Sequence, residues 1–252
     1  MIILNAEHIY KTYNHSLVDK VHHEKENPVL KDVNLTVQMG DSIGIMGKSG
    51  CGKTTLLKIL GTIDRATRGV VTYGGVSVKQ ISDSDIAELR RKRMGFVFQD
   101  YNLFSHLTVE ENIMLPLILD KRKPSEMRDK VFQNADFLNI SSILKKYPYE
   151  ISGGEKQRTA IARALVNDPQ IIFGDEPTGN LDSASTTSIM NYLDDINRIK
   201  GKALVIVTHD ALVASYCKRI IFIKDGRMEK TIENVQNKEE NVKKITDIML
   251  HL

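Results

Sequence analysis

The 252 residues include no tryptophan, only two cysteines and six prolines, and 6% aromatic residues. Two cysteines, Cys51 and Cys217, are too few for a disulfide-stapled scaffold; they form no metal-ligand spacing and suit a reducing compartment. No apolar stretch reaches the roughly 18 to 20 residues a membrane span needs, so any membrane function falls to a separate polypeptide. The start, MIILNAEHIYK, lacks the basic region and long apolar core of a signal peptide and reads as an edge strand. A dominant charge is missing too: 35 Lys and Arg against 32 Asp and Glu leave +3, too mild to indicate nucleic acid. No internal repeat or low-complexity linker stands out. What remains is 41% hydrophobic and 27% charged, enough for one sizeable core.

Strand signals alternate with helical ones, the pattern of a sheet covered by helices. The apolar run Ser42 to Met46 has the length of a buried strand, and the residues that follow it, Gly47, Lys48, Ser49, Gly50, Cys51, Gly52, Lys53, Thr54 and Thr55, read GKSGCGKTT. Gly47, Gly52, Lys53 and Thr54 have the spacing of a phosphate-binding loop. Its glycines let backbone N–H groups converge on phosphates, and a helix beginning near Lys53 points its positive end at them. Lys53 adds a point charge, and the Thr54 hydroxyl suits Mg²⁺.

Ile171 to Pro177 reads IIFGDEP, an apolar run that ends in two adjacent carboxylates. A buried strand delivers such acids to the sheet edge where α/β folds bind ligands. There Asp175 is placed to hold Mg²⁺, directly or through water, and Glu176 to polarise an attacking water. Tyr149 to Arg163 reads YEISGGEKQRTAIAR, with Ser152 as N-cap of an amphipathic helix and Gly153 and Gly154 leaving their amides open to an anion. One nucleotide needs one phosphate loop, so a second anion-binding helix start points to a partner's nucleotide. Taken singly, each segment also has an ordinary explanation: a Gly-rich turn, an acidic turn, a capped helix.

Together the segments resemble the nucleotide-binding subunit of an ATP-binding cassette (ABC) transporter, from about Ile3 to Glu233. In the terms of that family Gly47 to Thr54 match Walker A, Ile171 to Glu176 Walker B and Ile151 to Glu155 the signature loop. Tyr13 falls where the family stacks an aromatic ring on adenine, Gln99 matches the Q-loop, Gly179 to Asp182 (GNLD) the D-loop, and His209 the switch histidine. The resemblance implies an α/β P-loop NTPase core (RecA-like) with an antiparallel β subdomain and an α-helical subdomain. The ATP-binding domain would span 1–233, its helical subdomain about 99–164, and a C-terminal helical tail 234–252.

It also implies ATP and Mg²⁺ at the interface of two head-to-tail copies. Lys53 and the loop amides would hold phosphates, and Thr54, Gln99 and Asp175 would organise Mg²⁺. Glu176 would act on water while His209 steadies the γ-phosphate, and Ser152 with Gly154 of the opposite chain would complete the site. The implied partner is a transmembrane permease, and the implied location is the cytoplasmic face of the membrane. GTIDRATRG, MGFVFQDYNLFSHLTVEENIMLPL and DEPTGNLD look like the branch of macrolide export, lipoprotein release and antimicrobial-peptide resistance. KYPYEISGGEKQRTA is most similar to the bacitracin-resistance type, some of which report to a sensor kinase. A cell-division or lipoprotein-release ATPase, regulatory or extracting, is the alternative.

The signature departs from the family's Leu-Ser-Gly-Gly-Gln at Ile151 and Glu155, and a carboxylate at Glu155 cannot donate to a nucleotide. Gly174 removes a side chain beside Asp175 and is read as easing a turn. Cys51 beside Lys53 and a helix start is expected to favour thiolate. Asn14 to Pro28 is a polar insertion carrying His15, His22 and His23, usually solvated in such a setting but open to metal. Leu89 to Arg93 (LRRKR) reads as an exposed helix face. In the tail, Val242, Ile245, Ile248, Met249 and Leu252 recur at helical spacing, chiefly as a helix packed on its own domain.

Overall fold

The structure, a computed structural model, describes residues 1–13, 28–234 and 237–252. In chain order β1 (Ile2–Lys11), β2 (Leu30–Gln38) and β3 (Ser42–Met46) lead into α1 (Lys53–Leu60), β4 (Arg68–Tyr73), β5 (Val76–Ser77), α2 (Asp83–Arg93) and β6 (Met94–Phe98). A helical stretch follows: α3 (Val109–Leu119), α4 (Pro124–Phe137) and α5 (Gly153–Leu165). Then come β7 (Ile171–Asp175), α6 (Ser183–Lys200), β8 (Ala203–Val207), α7 (Ala211–Ala214), β9 (Arg219–Lys224), β10 (Arg227–Glu233) and α8 (Lys238–His251).

SIGIM in β3 and ALVIV in β8 are buried at every residue, as expected of parallel strands covered on both faces. They lie inside a six-stranded sheet of order β10-β9-β3-β8-β7-β6, parallel except for the β9–β10 hairpin. That hairpin turns at Asp225 and Gly226, both at positive φ (48° and 80°), the Asp-Gly chemistry that a tight hairpin requires. The register decides what meets at the sheet edge. Phe98 pairs with Asp175, Asp175 with Val207, and Ile45 with Val207, so β3, β8, β7 and β6 end in one row.

The second sheet is antiparallel with order β2-β1-β4-β5. Here β1 is an inner strand, bonded to β2 on one side and β4 on the other, and not the edge strand expected from sequence. Register shifts along β1 break strict alternation, so that Ile3, Leu4, Ala6 and Ile9 are all buried and join Leu56, Leu60 and Phe173 between the two sheets. Each fully buried Leu, Ile or Phe among them contributes about 1.5–3 kcal/mol. A second cluster on the other face of the large sheet joins α3, α4, α5 and α6 through Ile113, Val131, Ile161 and Ile189.

Helix ends follow local chemistry. Thr108 and Glu111 form a reciprocal capping box at α3, Pro124 opens α4, and Gly201 closes α6 at a φ of 65°. The basic end of α2 is less exposed than its composition suggests. Arg90 donates to the Thr62 carbonyl at 2.7 Å, and Arg91 pairs with Asp120 at 3.3 Å, tying α2 to the end of α1 and to α3. The tail helix α8 buries Ile245 and packs Ile248, Met249 and Leu252 near Met46, Phe222 and Ile232, while Lys238 lies 3.6 Å from the Tyr216 ring centroid. Among the described residues no helix is long and apolar enough to cross a membrane.

Candidate functional site

The loop after β3 wraps a helix start whose geometry only glycine permits. Gly52 is the N-cap of α1 at a φ of 104°, and a Cβ there would come within 2.8 Å of Leu30 and 2.9 Å of the Val29 carbonyl. With Gly50 also at positive φ (78°), residues 47–52 have the glycine-rich turn geometry from which anion sites are built, and the Cys51 amide closes it on the Lys48 carbonyl at 3.3 Å. Lys53, the first residue of α1, is buried and turned into the loop. Its ammonium donates to the carbonyls of Gly47 at 2.8 Å and Lys48 at 3.1 Å, so the charge sits inside the cup.

One residue on, the Thr54 hydroxyl donates to Asp175 Oδ1 at 2.9 Å, joining α1 to the end of β7 across 121 residues. Burial pushes the Asp175 carboxyl above the usual range; the Thr54 hydrogen bond opposes that and the neighbouring Glu176 charge adds to it. An ionised Asp175 therefore costs stability in the bare fold. Because the folded protein holds this proton more tightly than the unfolded chain, the cost is complete above the folded pKa and fades as pH falls toward 3.8. Asp175→Asn is expected to melt higher than the parent at about pH 7 without nucleotide or metal, with the advantage shrinking by about pH 4. Thermal melts across pH check this, and a variant that melts lower at neutral pH refutes it.

Glu176 follows β7 with φ at 47°, a left-handed value uncommon for a side chain of this kind and concentrated at functional positions. Its amide donates to the Val207 carbonyl at 2.9 Å, which holds the turn against β8. Its carboxylate lies 2.7 Å from His209 Nδ1 and accepts from the Thr208 hydroxyl at 3.2 Å. The imidazole is mostly exposed while the carboxylate is mostly covered, so the pair presents the ring to solvent. Gly174 does not ease a turn. It pairs within β7 with Val97 and Ile206, and a Cβ there would make only ordinary contacts, the nearest 3.4 Å to Pro177.

Gln99, one residue beyond β6, is exposed and donates to the Asn180 side chain at 3.3 Å; Asn180 returns a bond to the Gln99 carbonyl at 3.1 Å. This links the segment after β6 to GNLD, whose Asp182 caps α6. Ser152 caps α5, and Glu155 has a definite task. Its carboxylate accepts from both the amide (2.7 Å) and the hydroxyl (2.8 Å) of Ser152, and its own amide donates back to that hydroxyl at 3.3 Å. Those bonds hold its carboxyl below the ordinary range. Two residues on, Gln157 donates to the Pro177 carbonyl, so α5 is fastened to the turn that carries Glu176.

Tyr13 is partly exposed and donates to Asp64 Oδ2 at 2.8 Å, with Lys11 Nζ 4.7 Å from its ring centroid. Cys51 departs from expectation. Burial is the largest influence and raises its pKa; Lys53 acts the other way but does not prevail, so the thiol form is favoured. Burial likewise pushes Cys217 up to about 12. Among the described residues no group of three or more His, Cys, Asp and Glu could hold a metal, and His15, His22 and His23 lie outside them. The sequence assigns no individual role to Thr208, Asn180, Asp64 or Gln157. Asn180 lies inside GNLD, Gln157 inside YEISGGEKQRTAIAR and Asp64 inside GTIDRATRG, while Thr208 precedes His209, but nothing in local spacing shows what each bonds.

A glycine-rich phosphate loop at the end of β3, with a histidine after the adjacent strand β8 and a carboxylate pair at the end of β7 beyond it, defines a P-loop NTPase of the cassette class. The ABC transporter family model matches residues 30–179, and the chain belongs to that family as an ATP-binding, ATP-hydrolysing subunit. It is 45% identical to the uncharacterized ABC transporter ATP-binding protein YvcR of Bacillus subtilis (strain 168), over 99% of this chain and 94% of that protein. It is 44% identical to the bacitracin export ATP-binding protein BceA of Halalkalibacterium halodurans, over 90% of this chain and 87% of that protein. Among solved structures it is similar to a dimeric post-hydrolysis state of the ATP-binding cassette MJ0796 bound to ADP and Pi. That likeness has a TM-score of 0.82 and 37% identity, and covers 93% of this chain and all of the other.

Proposed function

We propose that this chain hydrolyses ATP on the cytoplasmic face of the membrane, as a head-to-tail homodimer beneath a permease that confers resistance to peptide antibiotics. The observation that carries the hydrolytic part is the Glu176 carboxylate held between His209 and Thr208, beside the Thr54–Asp175 contact. The amides of 47–52 and Lys53 bind the phosphates, exchanging the carbonyls of Gly47 and Lys48 for phosphate oxygens. Lys48, Ser49, Gly50, Cys51 and Thr55 belong to the same cradle, and Tyr13 stacks on adenine. Glu176 orients water and draws its proton as it attacks, while His209 steadies the terminal phosphate.

Thr54, Asp175 and Gln99 present oxygen donors of the kind a hard divalent cation takes, and the half-buried Asp175 carboxyl is the group such a charge would bring down, so the set fits Mg²⁺. When bound, Mg²⁺ neutralises phosphate charge. Ser152, Gly153 and Gly154 of one copy face the nucleotide of the other. ATP would close the dimer and hydrolysis reopen it, the two-state element a permease can harness. The dimeric MJ0796 cassette supports this reading.

The domain plan assigns 1–233 to the ATP-binding domain, about 99–164 to the helical subdomain that docks on the permease, and 234–252 to a tail. Exposed Phe104, Ile118 and Leu119 on the helical stretch support docking there. BceA supports a peptide-antibiotic role, and a sensor kinase reached through the permease belongs to the same proposal. The test is to isolate the chain with its permease in lipid and measure ATPase with and without bacitracin or a lantibiotic. Stimulation by a peptide antibiotic is the expected result; stimulation only by lipoprotein, or by none of these, favours the lipoprotein-release or cell-division alternative.

A further inference from the structure

At the C-terminal end of α1, about 12 Å along the helix from the phosphate loop, a cavity of about 510 Å³ lies between α1, β4 and α2. Its volume falls within the about 300–1,000 Å³ of small-ligand pockets. The floor is aliphatic: Ile59, Val71 and Ile86 are buried, and Ile63, Val78 and Ile81 extend the apolar wall. The rim is charged but not balanced. Asp83 is paired with Arg65, and Asp64 with Lys11. That leaves the Lys79 ammonium and the Arg90 guanidinium without a carboxylate partner among the described residues, Arg90 holding only the Thr62 carbonyl. Thr62 supplies the second mark of a ligand. It is 7% exposed, lines the cavity, and its buried hydroxyl has no hydrogen-bond partner.

We propose that this cavity binds a small amphipathic anion, a single acyl chain along the aliphatic floor with its carboxylate at Lys79, Arg90 and the Thr62 hydroxyl. Spare cationic donors over an apolar trough select against a neutral or cationic head, because only an anion gains charge-assisted hydrogen bonds there. The site also reports to Tyr13. Asp64, in the cavity wall, accepts Lys11 Nζ and the Arg65 amide on one oxygen, both at 2.7 Å, and the Tyr13 hydroxyl on the other at 2.8 Å. An occupant that shifts the 62–66 loop therefore moves the Tyr13 ring. If Tyr13 stacks on adenine as proposed above, acyl anion and ATP alter each other's affinity by the same factor.

The probe is decanoate below its micelle concentration, titrated by calorimetry into the whole chain without nucleotide. One saturable site is expected, with 1-decanol and decyltrimethylammonium binding at least about tenfold more weakly. Lys79→Glu, an exposed position, is expected to weaken decanoate by about tenfold, and Ala66→Trp, which fills the cavity, to abolish binding. Absence of a saturable site, equal binding of the three amphiphiles, or an unchanged affinity in Lys79→Glu overturns the proposal. So does unchanged binding in a folded Ala66→Trp; should that variant not fold, Lys79→Glu decides. The coupling is read separately as a change in ATP affinity at saturating decanoate, lost in Tyr13→Phe, which keeps the ring and removes the hydroxyl. Decanoate binding with no such change overturns the coupling and leaves the site, whereas unchanged ATP affinity in Tyr13→Ala would count against the adenine role itself.

Discussion

Glu176→Gln leaves ATP binding intact and slows hydrolysis by about 10²- to 10⁴-fold, the range for a positioned acid–base group. The substitution keeps the side chain's length and its bonding capacity toward His209 Nδ1 and the Thr208 hydroxyl, so the turn after β7 is retained while the proton acceptor is lost. It also leaves a residue with a Cβ at the same positive φ, so no new backbone strain or relief enters. In the proposed cycle closure precedes hydrolysis, so ATP should then hold two copies together long enough to elute as a dimer from a sizing column. Steady-state turnover and column position are the two readings. Near-normal hydrolysis would take Glu176 out of the role of general base, and a tight ATP-dependent dimer beside it would show that closure is intact for another reason.

Ser152→Arg should bind ATP as the parent does while losing both dimerisation and hydrolysis. The fold can absorb the change: loss of an N-cap costs about 1 kcal/mol against a typical stability of about 5–15 kcal/mol. The expected loss of activity is far larger than that, because a long cation at the start of α5 obstructs the surface proposed to face the other copy's phosphates. Mixing the variant with Lys53→Ala protein tests the geometry. A head-to-tail heterodimer has one site with both defects and one with neither, so each inactive protein should partly rescue the other. Equal inactivity in mixtures shown to contain heterodimers would count against composite sites.

Several features of the site were legible in the chain because the chemistry that makes them is local. The phosphate loop needs glycines, a lysine and a hydroxyl within a few residues, and Ser42 to Met46 announces its strand by being apolar at nearly every position. The same holds for IIFGDEP, for the cap at Ser152, and for the helical spacing of Ile245, Ile248, Met249 and Leu252. Burial was legible only where it followed from pattern. Cys51 was placed beside a charge by the sequence, but its ionisation is governed by its burial at the margin of the core cluster that also holds Leu30 and Ile223, and desolvation outweighs Lys53.

By itself the sequence determined the phosphate loop, the strand that carries the two carboxylates, the capped start of α5 and the alternation of strands and helices, since each depends on neighbours a few residues away. Only the tertiary structure decided that β1 is an inner strand, because strand order is set by partners far along the chain. It also decided that Gln99 meets Asn180 across 81 residues, Tyr13 meets Asp64 across 51, and Thr208 meets Glu176 across 32. Such contacts have no signature in local spacing: Gln99 with Asn180 and Thr208 with Glu176 arise where strands of one sheet bring their ends to a common edge, and Tyr13 with Asp64 where the end of β1 meets the loop after α1, and in each place hydrogen-bonding groups leaving water must find partners among whatever arrives beside them.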